Sequence, residues 1–79
     1  MGGLPIPKPS ILDSCRVAGI EGGRKIYKDY NENIYYSWDS LHGELEVFNK
    51  SGLHLGAACP QTGVLIKPPV RGRRIRKQN

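Results

Sequence analysis

At 79 residues the chain has room for one small domain, and a domain of that size buries only about 60% of its unfolded surface. Hydrophobic residues make up 38%, beside ten glycines and six prolines, which excludes a bundle of long helices and points to a compact β-rich domain. Twelve Lys and Arg against seven Asp and Glu leave a formal charge of +5, and no apolar run approaches the ~20 residues that span a bilayer.

Residues 1–23 read as an N-terminal arm. Pro5, Pro7 and Pro9 keep its start extended. Residues 1–10 hold no apolar signal-peptide core, so export is left to something outside these residues. Ile11, Leu12, Cys15 and Ala18 recur at helical spacing and predict a short helix over residues 11–18, closed by Gly19. Gly22-Gly23 marks a flexible joint, and residues 24–79 form the functional domain.

From Lys25 the texture is that of strands. Ile26, Tyr27, Tyr30, Ile34, Tyr35, Tyr36 and Trp38 supply β-formers, with Asn31-Glu32-Asn33 as a turn among them. Residues 41–48 alternate as one strand, so Leu41, Leu45 and Val47 face one way and His42, Glu44 and Glu46 the other. Asn49-Lys50-Ser51-Gly52 is a hairpin turn, and Leu53-His54-Leu55 begins the return strand. Pro60-Gln61-Thr62-Gly63 turns into Val64-Leu65-Ile66, which Pro68-Pro69 ends. Residues 70–76 then form a last edge strand studded with arginine. The expected fold is mainly β: a small, highly twisted antiparallel sheet with a short N-terminal helix or arm. Cys15 and Cys59 could form one disulfide, but two cysteines without a C-x-x-C spacing make a poor framework, and free, partly buried thiols are the default reading.

Charge is segregated along the chain. Five of the seven acids lie between positions 29 and 46, and none follows Glu46, whereas Lys50, Lys67, Arg71, Arg73, Arg74, Arg76 and Lys77 all do. A basic surface around a confined acidic patch suits a polyanion approached by a few ionisable groups. Asp39, His42, Glu44 and Glu46 are that patch. Cleaving RNA through its own 2′-OH needs a base, an acid and positive charge on the phosphorane, which carboxylate, imidazole and guanidinium provide without a metal. The plain alternative is a solvated polar strand face. A metal site built from His42, Glu44 and Glu46 is the next alternative, disfavoured because alternate strand residues lie about 6.5–7 Å apart and would not close around one small ion without outside ligands. The residues alone lead to a possible nuclease.

The stretch Trp38-Asp39-Ser40-Leu41-His42-Gly43-Glu44-Leu45-Glu46 resembles the signature W-D-S-x-H-G-E-L-E of the cytotoxic ribonuclease domain of cloacin and the ribosomal-RNase colicins. The likeness continues through Ser51-Gly52-Leu53-His54-Leu55-Gly56 and Pro60-Gln61-Thr62-Gly63 into the basic tail. It covers about residues 34–77 and leaves the first 33 unmatched. The resemblance implies a ribonuclease toxin domain over residues 24–79 that cuts small-subunit ribosomal RNA at the decoding site, with no cofactor. Its partners would be the ribosome and a cognate acidic immunity protein, with the domain otherwise a monomer. Delivery would be from a producing bacterium, by a bacteriocin or a contact-dependent growth inhibition carrier, with action in the target-cell cytoplasm.

Carried over by position, the family's catalytic residues fall on Asp39, His42, Glu46 and Arg73. Glu46 would be the general base, His42 the general acid, Asp39 the group orienting His42, and Arg73 the cation on the phosphorane. The labels of His42 and Glu46 can be exchanged, and Arg71, Arg74 and Arg76 compete with Arg73. Glu44 is an accessory candidate. Lys67, Arg71, Arg74, Arg76 and Lys77 are expected phosphate contacts, and Tyr36 and Trp38 either stack on bases or build the core. His54 reads as structural or as an RNA contact. The rivals are a non-catalytic basic RNA-binding module, which has no use for Asp39, His42 and Glu46 together, and a metal-dependent DNase.

Overall fold

A computed structural model describes residues 3–76. The arm runs across the sheet, where Leu4 donates its amide to the Ser40 carbonyl at 2.8 Å and accepts the Trp38 indole N–H at 2.9 Å. Ser10 then caps a single 3₁₀ turn, Ile11–Ser14, by accepting the Leu12 amide, while the Asp13 carboxylate accepts the Ser10 amide. The helix expected over residues 11–18 is therefore only this turn. Two helical turns give little return on the cost of nucleation, and the residues from Arg16 gain a full ladder by pairing as a strand instead.

Six strands follow in a meander: β1 (Arg16–Glu21), β2 (Arg24–Asp29), β3 (Ile34–Asp39), β4 (Glu44–Phe48), β5 (His54–Ala58) and β6 (Leu65–Lys67). Each pairs antiparallel with the next, in the spatial order β1-β2-β3-β4-β5-β6. The fold is mainly β, as expected, and register shifts in the β1–β2, β4–β5 and β5–β6 pairs deepen its right-handed twist. Gly22-Gly23 is the tight hairpin between β1 and β2 rather than a joint.

Two further expectations need correction. Residues 40–43 are a turn, and β4 begins only at Glu44; Gly43 there takes φ 69°, which favours glycine. Leu41 and His42 accordingly leave the alternating row, and Leu41 is exposed. Residues 70–76 form no strand: Arg74 makes one isolated bridge to Leu53. Pro68 and Pro69 have no N–H to continue the β6 ladder, and Arg71-Gly72 turn away from it.

Alternation sorts the sheet into two faces. Tyr36, Leu45, Val47 and Ala58 pack with Leu12 beneath the arm. The opposite face carries a smaller cluster of Ile26, Tyr35 and Phe48, with Ala18 and Ile75 against it. The register pairs Ser37 with Glu46 and Asp39 with Glu44, so the acidic residues share this second face. All five β4 residues are buried, because the C-terminal segment covers the side that was expected to meet solvent.

Candidate active site

Asp39 ends β3 and organises the turn after it. Its Oδ1 accepts the amides of Leu41 at 3.0 Å and His42 at 3.2 Å, and its Oδ2 lies 2.8 Å from His42 Nδ1. Burial alone would raise the Asp39 carboxyl, but hydrogen bonds from the His42 side chain and amide, the His42 charge and the Leu41 amide outweigh it and hold the group below its usual range. The imidazole stands half exposed, with Nδ1 engaged by Asp39.

Glu46 is the second node, buried in the middle of β4. Its Oε1 receives Arg73 NH1 at 2.8 Å and His54 Nε2 at 2.7 Å. The Val70 amide donates to His54 Nδ1 at 2.8 Å, so that nitrogen presents its lone pair and the ring proton sits on Nε2, facing Glu46. Glu46 Oε2 takes no hydrogen bond among the described residues. Arg73 is held by its backbone, whose carbonyl accepts the His54 amide at 3.2 Å, while its guanidinium stays half exposed. Nearby, Lys67 Nζ sits 3.0 Å from the buried Glu44 carboxylate.

Asp39, His42, Glu46 and Arg73 thus meet on one face. They form the wall common to two hollows, one of about 480 Å³ reaching toward β1 and β2 and one of about 270 Å³ reaching toward β6. Arg71 and Arg74 are exposed beside them, and Arg76 donates its amide to the Glu21 carboxylate. Lys77 lies outside the described residues. Tyr36 is packed in the core opposite the site, which leaves its ring no open face for a base.

His54 is the residue whose place the sequence did not reveal. It pairs in register with Phe48, not Glu46, and reaches the carboxylate diagonally through the β4–β5 bulge, which the alternation of residue types does not encode. The turn after Asp39 also changes the metal question. Asp39, His42 and Glu44, and not the trio weighed from strand spacing, offer ligand atoms within 4.8 Å of one another. Lys67 already neutralises one member of that trio.

The chain is similar to known proteins over most of its length. The family model described as Cytotoxic matches residues 9–76. Cloacin of Escherichia coli is 48% identical over 59 residues, covering 71% of this chain and 10% of its own length. Colicin E3 of the same organism is 41% identical over 76 residues, covering 95% of this chain and 14% of its own. Colicin-E6 is 46% identical over 59 residues, with 71% and 10% covered. The chain therefore spans only a small part of the relatives it matches, and the match begins well before residue 34, where the likeness was expected to start.

Proposed function

The chain belongs to the Cytotoxic family, and from that premise we propose that it is a metal-independent endoribonuclease toxin domain, cutting small-subunit ribosomal RNA at the decoding site. The observation that carries this reading is the convergence of Asp39, His42, Glu46 and Arg73 on the wall between two hollows. Glu46 takes the 2′-OH proton through Oε2, since Oε1 is engaged by Arg73 and His54. The new 2′-O–P bond forms as the P–O5′ bond breaks. His42, with Nδ1 on Asp39, gives its Nε2 proton to the departing oxygen and leaves a 2′,3′-cyclic phosphate. Arg73 offsets the charge on the phosphorane. Asp39 and His54 are positioning residues, the first for the acid and the second for the base. Lys67, Arg71, Arg74 and Arg76 supply positive charge along the RNA backbone.

A cognate acidic immunity protein would complement the same basic face. The domain is delivered from a producing bacterium and acts in the cytoplasm of its target, with the ribosome-cutting machinery in residues 24–79. The test uses intact bacterial ribosomes in an EDTA-containing buffer with just enough magnesium to preserve them. One discrete fragment from the 3′ end of the small-subunit RNA is expected. His42→Ala and Glu46→Gln should keep the circular dichroism of the sheet while cleavage falls by ~10²–10⁴-fold. Tight, salt-sensitive RNA binding without a fragment would replace this reading with a binding module. Cleavage that appears only with added divalent metal would move the chemistry to Asp39, His42 and Glu44.

A further inference from the structure

On the ribonuclease reading, the wall shared by the two hollows would put one hollow on either side of the scissile phosphate. The two differ in the groups they add to the shared wall. The smaller adds Lys67, Glu44 and His54 beside Ala57, Pro68 and Val70, and its Lys67 ammonium suits a phosphate. The larger adds the exposed Leu41 and the half-buried Ile75, together with the buried Ile26 and Phe48. Buried Ser37, half-buried Glu21 and exposed Arg24 complete its lining. Its volume of about 480 Å³ falls within the ~300–1,000 Å³ of small-molecule sites, which combine an apolar lining with a few placed polar groups.

We propose that this larger hollow is a nucleobase subsite, which receives the unstacked base of a nucleotide adjoining the scissile phosphate. Sequence-specific recognition of RNA relies on bases splayed from their stacks and read along their edges. Arg24 and Glu21 face each other across the β1–β2 hairpin, giving a set of donors beside an acceptor. The Arg24 guanidinium has no hydrogen bond or ion pair among the described residues, so its N–H groups are available to a base edge. Glu21 is held in place through the Arg76 amide, at 2.9 and 3.2 Å from its two oxygens. Arg24 and Glu21 lie outside the nine-residue signature and outside the catalytic set. They would therefore choose the base without entering the proton transfers.

The subsite rests on the ribonuclease reading, and the experiment separates the two. The domain is titrated with 3′-AMP, and separately with ribose 5-phosphate and inorganic phosphate, while backbone amide shifts are followed by NMR. Shifts at Arg24, Ile26, Phe48 and Ile75 are expected with 3′-AMP alone. Arg24→Ala, at an exposed position, should weaken 3′-AMP by about tenfold, the worth of one good edge contact, and leave ribose 5-phosphate unchanged. Equal responses to 3′-AMP and ribose 5-phosphate, or shifts confined to the Lys67 side, would overturn the subsite. Ribosome cleavage by the same wild-type preparation reports separately on the ribonuclease reading.

Discussion

Asp39 commits both carboxylate oxygens to Leu41 and His42, and the lowering of its pKa by those contacts couples the turn to pH. A carboxyl held lower in the folded chain than in the unfolded one contributes stability that is present above the unfolded value of 3.8 and lost as pH falls through the folded value. Denaturant titrations of wild type and Asp39→Asn should therefore converge as pH drops below about 4. A constant gap down to pH 2.5 would show that the pair adds no such stability. The cysteines respond to their surroundings in opposite ways. Burial first, and then the Asp29 charge, push the Cys15 thiol up to about 11, whereas hydrogen bonds from Thr62 and Gln61 lower that of Cys59. Because the thiolate is the reacting form, a thiol-modifying reagent at pH 8 should label Cys59 first, read as mass shifts on the two tryptic peptides. The two thiols are unpaired with each other.

At the scale of elements, the C-terminal segment is what completes the site. Ile75 donates its amide to the Gly52 carbonyl at 2.8 Å, and Arg73 and Arg74 flank β5 through His54 and Leu53. Gly52 has φ 88° and lies so close that a Cβ there would run into the Ile75 carbonyl. Gly52→Ala should therefore cost more than the roughly 1 kcal/mol of an ordinary left-handed substitution, and lower cleavage as well by displacing Arg73. Urea midpoints and ribosome cleavage measured together check this; loss of stability with full activity would mean that Arg73 does not depend on the contact. The sequence made the Gly52 turn legible, because turn chemistry is local. It did not reveal that the segment after Pro69 docks without forming a strand. Nor did it reveal that Glu44 and Glu46 are buried, since an alternating row looks the same whether water or another segment covers it.

For the whole molecule, the segregation of charge is the feature on which the proposed approach of RNA rests. Asp39, Glu44 and Glu46 line the smaller hollow with Lys67 beside them, while Arg71 and Arg74 are exposed to solvent. Binding to RNA should then weaken with salt. Replacing Arg71 and Arg74 together by Gln should reduce the slope of log affinity against log salt by about 0.7 for each lost single-strand phosphate contact. An unchanged slope in a filter-binding or anisotropy titration would remove those arginines from the interface. The amino-acid sequence by itself determined the meander of short strands from residue 24 onward and its hairpin turns, and it brought Asp39, His42 and Glu46 forward as candidates. Those depend on backbone preference and side-chain chemistry within a few residues. Only the tertiary structure decided that residues from Arg16 add an edge strand, that His54 supports Glu46, and that Arg73 reaches it from 27 positions away. Such contacts arise from bulges and from the docking of a distant segment to satisfy buried polar groups, and no local pattern encodes them.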